Sequence, residues 1–130
     1  MEGNFLMNTF KNALIEYPLK ENISVQTYEG YNSLHIDLMY KEETIIWLNL
    51  DKENKLKICK IKESVKNLEN LSLIMETIIE LAKVLNADEI FGRIDIDEKN
   101  ILPQIFVDFG FSYKEKYDKE KRTAKIHLIL

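Results

Sequence analysis

Glycine is scarce in this chain. There are four in 130 residues, and none between Gly30 and Gly92. Backbone that closes on a phosphate needs residues that take positive φ and carry no side chain, so that interval holds no Walker-type or other glycine-rich phosphate loop. Nor does the chain carry a Gly-x-Ser-x-Gly nucleophile elbow. Cysteine is rarer still: the single Cys59 forms no internal disulfide, which fits a reducing cytoplasm. The two histidines, His35 and His127, are far apart and have no Cys or carboxylate at ligand spacing, which argues against zinc. No apolar run approaches the roughly 20 residues that span a bilayer, which argues against a membrane protein. The start has no basic segment before an apolar run, so no secretory signal is expected. With no repeat, low-complexity tract or Pro/Gly/Ser linker, residues 1–130 read as a single domain.

A basic excess is also lacking. The net charge is −4, which argues against a general nucleic-acid binder. One stretch runs against the trend: Lys114, Lys116, Lys119, Lys121, Arg122 and Lys125 outnumber Glu115, Asp118 and Glu120 for a local +3. It reads as a solvated hairpin whose charges keep strand edges from pairing.

The composition that remains, 45% hydrophobic and 31% charged, is that of a globular domain. Its strongest pattern lies between Leu68 and Phe111. Leu71, Ile74, Met75, Ile78, Ile79, Leu81, Ala82 and Leu85 recur at three- and four-residue steps, predicting a long helix with one buried stripe. Asn86-Ala87-Asp88 breaks it. Glu89 to Asp97 then alternates Ile90, Gly92, Ile94 and Ile96 against Phe91, Arg93 and Asp95, predicting a strand. A shorter helix follows, with Asn100 as N-cap, Pro103 in the first turn, Ile101, Leu102, Ile105, Phe106 and Phe109 apolar, and Gly110 as terminator.

Before this core, residues 2–17 place Phe5, Leu6, Phe10, Ala13, Leu14 and Tyr17 at helical spacing, ended by Pro18. Strands are predicted over Ile23–Glu29, Ser33–Tyr40 and Thr44–Asp51, the first two joined by a turn at Gly30–Asn32. The strand Thr44–Asp51 is apolar on both faces, and Trp47 reads as core. A fourth strand, Lys55–Ile61, slips in its alternation: Leu56 and Ile58 share one parity, Cys59 and Ile61 the other. A bulge near Ile58–Cys59 would restore both pairs to one face, and a plain register irregularity is the alternative. Cys59 on such a strand reads as a small buried apolar residue. Ser112–Tyr117 and Thr123–Leu130 alternate and should pair as an antiparallel hairpin.

Long helix, strand, short helix ending in an apolar residue before Gly110-Phe111, then a closing hairpin: over roughly residues 55–130 this order resembles the C-terminal half of the GNAT superfamily of N-acetyltransferases. Asn100, Phe106 and Gly110-Phe111 occupy places comparable to the family's Asn, Tyr and Gly-Phe. The resemblance implies an α/β fold with a mixed, mainly antiparallel sheet of about six or seven strands flanked by helices. It also implies that the bulged strand, at Cys59 and Ile61, holds the thioester end of acetyl-CoA, with Lys66, Asn67 and Asn100 as further cofactor contacts. The chain departs from the family in two places. The family's glycine-rich loop is replaced by Lys62-Glu63-Ser64-Val65-Lys66-Asn67-Leu68-Glu69-Asn70-Leu71, and the tyrosine that protonates the leaving thiolate is replaced by Phe106. Asn67 or Asn70 also reads as a plain N-cap. Tyr113 and Tyr117 lie near the missing acid, and His35, Asp37, Glu63 and Asp95 are candidate bases that no spacing singles out. Two readings follow. One is a degenerate GNAT-like domain without catalysis, a protein-binding or regulatory module acting on a protein partner or as a homodimer. The other is a divergent acyl-CoA-dependent N-acetyltransferase acting on an unknown amine, with acetyl-CoA as its cofactor.

Overall fold

The computed structural model describes residues 22–62, 65, 71–96, 102–118 and 121–130. The helix expected over residues 2–17 lies outside them, as do Lys66, Asn67, Asn100 and Glu63. The chain runs β1 (Ile23–Gly30), β2 (Ser33–Tyr40), β3 (Glu43–Asp51), β4 (Lys55–Ile61), α1 (Leu71–Val84), β5 (Glu89–Asp95), α2 (Leu102–Asp108), β6 (Ser112–Asp118) and β7 (Lys121–Ile129). The strands form one sheet in the order β1-β2-β3-β4-β5-β7-β6. Every pair is antiparallel except β4 with β5, where α1 belongs to the crossover that a parallel pair requires.

The alternation read from the sequence becomes an inner and an outer face. Leu34, Ile36 and Leu38 on β2, Ile46, Leu48 and Leu50 on β3, Leu56 and Ile58 on β4, Ile90 and Ile94 on β5, and Ala124 and Ile126 on β7 are buried in one core. Onto them α1 packs Leu71, Ile74, Met75, Ile78, Leu81 and Ala82. Ile79, expected in the same stripe, is only half-buried. Thr77 is buried too, and its hydroxyl donates to the Leu73 carbonyl at 2.8 Å, so the helix satisfies its own polar atom.

Two details of β3 correct the sequence reading. Leu38 lies opposite Ile46 and Met39 opposite Thr44, leaving Ile45 as an extra residue on β3. Both Ile45 and Ile46 are buried as a result, which is why the strand reads as apolar on both faces. Trp47 is not core. It is half-exposed on the outer face, with the Lys60 ammonium 5.1 Å from its ring centroid.

Both helices end in the same way. Asn86 sits at φ 59, its N–H donating to the Lys83 carbonyl and that of Ala87 to the Ala82 carbonyl. Gly110 sits at φ 92, its N–H donating to Val107 and that of Phe111 to Phe106. Each is a Schellman cap, and in the second the accompanying apolar contact is the Phe106–Phe111 edge-to-face pair, with centroids 5.1 Å apart. The β2–β3 turn is made without glycine: Lys41 and Glu42 both hold positive φ, 52° and 68°, the pattern of a type I′ hairpin.

Two stability changes follow. Ile78→Ala should cost about 2 to 5 kcal/mol in chemical unfolding, through lost burial and a residual cavity. Replacing Lys41-Glu42 by Asn-Gly should raise the unfolding free energy by about 1 kcal/mol, because both positions then hold residues suited to positive φ.

Candidate functional site

β4 and β5 pair only from Lys55 opposite Glu89 to Ile58 opposite Gly92. Beyond that point β4 remains on β3, with Lys60 opposite Trp47 and Ile61 opposite Ile46. β5 remains on β7, with Arg93, Ile94 and Asp95 opposite Lys125, Ala124 and Thr123. The two parallel strands therefore part at their carboxyl ends. Cys59, Lys60 and Ile61 face Arg93, Ile94 and Asp95 across a notch with no ladder between them. Open sheets bind ligands outside the carboxyl ends of parallel strands, where a crevice of this kind lies.

The cause is local. Leu48 pairs with Ile58 and Trp47 with Lys60, so Cys59 is the extra residue of a bulge on β4. A bulge bends its strand and sharpens the local twist, which turns β4 away from β5 just after their last pair. That last pair is unusually close: a Cβ on Gly92 would lie 2.8 Å from the Ile58 carbonyl oxygen and 3.1 Å from the Ile58 Cβ. Glycine at 92 sets the closed end of the notch.

The slip expected at Ile58–Cys59 is therefore a bulge, and it returns Ile61 to the inner face with Leu56 and Ile58. Cys59 does not join them. As the extruded residue it is exposed, with Sγ 3.9 Å from the Lys57 carbonyl oxygen. Partial desolvation pushes its thiol pKa up against a weaker pull from Lys57, so it is a poor nucleophile at neutral pH. Ile61 is half-buried at the end of β4. The next residue, Lys62, donates its N–H to the Ile45 carbonyl at 2.8 Å, and its ammonium pairs with Glu43.

Of the candidate bases, Asp95 lies on an arm of the notch, with its carboxylate 3.9 Å from the Lys121 ammonium. His35 and Asp37 sit on β2, separated from β4 by β3. His127 is drawn to the opposite end, where its Nε2 lies 2.8 Å from Glu89 and Lys55 lies 3.4 Å from the same carboxylate. That cluster ties β4, β5 and β7 together where they are still paired. Phe106, which the sequence resemblance sets where the family has its acid, is 1% exposed and packed on Phe111.

The densest polar cluster was not legible as one in the sequence. On β6 and β7, Arg122 holds Glu115 through Nη2 at 2.8 and 2.9 Å and Nε at 3.3 Å. Tyr113 donates its hydroxyl to Oε1 at 3.0 Å and Tyr117 to Oε2 at 2.9 Å. The donors, Arg122 first, hold the Glu115 carboxyl below its ordinary range. Desolvation and Glu115 push the Tyr113 phenol up. A carboxylate with its lone pairs so occupied is a clamp rather than a base. The signal was the shared parity of Tyr113, Glu115 and Tyr117 facing Arg122 across a short hairpin. Among the described residues no group of three or more His, Cys, Asp or Glu is placed to hold a metal.

No protein-family model matches the chain, and no curated protein matches it by sequence. Solved structures match it in three dimensions. A GNAT family acetyltransferase from Elizabethkingia anophelis with acetyl-CoA bound aligns at a TM-score of 0.55 and 11% identity, covering 85% of this chain and 100% of that one. A spermidine N-acetyltransferase from Vibrio cholerae aligns at 0.54 and 9% identity, covering 98% and 88%. The chain spans 62% of the length of a probable acetyltransferase that aligns at 0.49 and 14% identity. The fold is thus a divergent GNAT-like α/β fold, with the mixed, mainly antiparallel sheet that the resemblance implied.

Two outcomes test this geometry. Gly92→Ala should lower the unfolding free energy by about 1 to 3 kcal/mol, since the new methyl meets the Ile58 carbonyl. The Glu115 clamp should also show in the pH dependence of urea unfolding. A carboxyl held lower in the folded than in the unfolded state contributes stability above its unfolded pKa and loses it as pH falls through the folded value. Glu115→Gln should therefore lower the urea midpoint near neutral pH and lose less of it than wild type between about pH 5 and about pH 3.

Proposed function

We propose that this chain is a GNAT-like domain that keeps the notched scaffold without catalysis and serves in the cytoplasm as a protein-binding or regulatory module. The observation that carries this reading is Phe106. Where the family's resemblance puts a hydroxyl to protonate the leaving thiolate, a phenyl ring is sealed in the core against Phe111. Glu115, the carboxylate nearest to Tyr113 and Tyr117, is held as an anion by four donors and has no capacity left to take a proton. The absence of glycine between Gly30 and Gly92 points the same way, because the pyrophosphate of a coenzyme then lacks its usual cradle.

One observation favours a second reading, an acyl-CoA-dependent N-acetyltransferase acting on an unidentified amine. The notch itself is open, with the Cys59 bulge and the parted strands where a thioester would lie beside Cys59 and Ile61. In that reading Lys66, Asn67 and Asn100 supply the outer contacts to acetyl-CoA, as the resemblance implies. Calorimetric titration with acetyl-CoA, followed by a turnover assay against polyamine and peptide amines, separates the two. The module reading expects no turnover and at most weak heat at about millimolar coenzyme, equivalent to about 4 kcal/mol of binding free energy. Robust wild-type turnover overturns it. Phe106→Tyr should leave turnover at background and lower stability by about 1 to 3 kcal/mol, because the added hydroxyl is buried.

A further inference from the structure

The sheet gathers positive charge on one outer surface that no single sequence segment displays. Arg93 on β5, Lys125 on β7 and Lys114 on β6 occupy one cross-strand row, each opposite the next. All three are exposed, and no ion pair is shown for any of them among the described residues. Lys116 follows two positions along β6, and Lys121 lies at the far end of β7. Asp95 is the acidic group shown with them, 3.9 Å from Lys121. Arg122 and Glu115, counted with this hairpin in the sequence, have left it for the clamp on the inner face. Like charges directly opposite on neighbouring strands destabilise a sheet, and here three stand in line in a protein of net charge −4.

Lysines on an edge strand keep it from pairing with itself, which accounts for Lys114 and Lys116 on β6. It does not account for Arg93 and Lys125, which stand on interior strands. The field of Lys125 reaches the edge, since its strand is about 5 Å from β6 and the screening length at physiological salt is about 8 Å; Arg93, a further strand back, adds a more screened contribution. β6 is an outer strand of the sheet, so one side of its backbone has no ladder partner among the described residues. A second copy of β6 is a poor occupant: antiparallel pairing about Glu115 would set Lys114 against Lys116.

We propose that the β6 edge takes an extended acidic segment of a partner protein as an additional strand. Alternate carboxylates of the partner lie beside Lys114 and Lys116, and Lys125 and Arg93 stand behind them. The repeat fits, because same-face residues of an added strand recur about every 7 Å, as Lys114 and Lys116 do on β6. The amide edge, without a ladder partner among the described residues, selects a peptide over a nucleic acid, since only a peptide backbone continues the ladder. This names the partner chemistry for the protein-binding reading and rests on it.

The test is fluorescence anisotropy with a labelled peptide of about twelve residues alternating Glu with Val or Thr. The comparison ligands are its Glu→Gln counterpart and a labelled oligothymidylate. Proteins are wild type, Lys114→Glu/Lys125→Glu, and Lys52→Glu in the β3–β4 turn as a charge control, with folding checked by circular dichroism. The acidic peptide should bind, weaken with added salt, lose about tenfold or more in affinity in the double variant, and be unchanged by Lys52→Glu. No binding of the acidic peptide, equal binding of the Gln peptide, or binding untouched by the double variant overturns the proposal. So does preference for the oligothymidylate. Acetyl transfer to a peptide that still needs Lys114 and Lys125 would overturn the non-catalytic reading while leaving the docking surface in place.

Discussion

The parting of β4 from β5 after Ile58 and Gly92 is the constraint on which the rest of the structure depends. Before it, the two strands are held more tightly than a side chain at 92 would allow, and Lys55, Glu89 and His127 bind three strands together. After it, the extra residue Cys59 bends β4 toward β3 while β5 follows β7. The sheet is therefore two antiparallel ribbons hinged along a short parallel seam. That shape makes a notch whatever the residues lining it do.

Whether a notch of this kind supports transfer depends on the acids and bases that can reach it. An acid must present a proton to the reacting atoms, and a base must have a free lone pair at a workable pKa. Phe106 has no such proton, and burial closes its position to solvent. Glu115 has no spare lone pair. The Cys59 thiol is held above its ordinary pKa by desolvation. Asp95 stands on a notch arm, with its carboxylate 3.9 Å from the Lys121 ammonium. Fold and chemistry are separable: the sheet imposes the notch, and the side chains around it set its use.

The outer surface carries the complementary lesson. Hairpin charges that read as plain solvation are divided by the sheet. Arg122 and Glu115 turn inward and neutralise one another, while Lys114 and Lys125 turn outward and meet Arg93 from a strand earlier in the chain, on the far side of α2. A face built from three strands has a potential that none of them has alone.

Periodicity and local chemistry, both readable in the chain, determined most of the elements. The buried stripe of α1, the strands within two residues of their observed ends, the bulge at Ile58–Cys59 and the left-handed cap at Gly110 all follow from interactions within a few residues. The second left-handed cap, at Asn86, was read only as a break, because asparagine tolerates that conformation without announcing it. Tertiary structure alone decided which side of the bulge Cys59 takes, that Trp47 stays at the surface under Lys60, that Arg122 closes on Glu115, and that Arg93 joins the lysines of the hairpin. Each of these depends on which strands become neighbours and in what register. Pairing joins residues far apart in the chain, and a shift of one position exchanges the two faces of a strand.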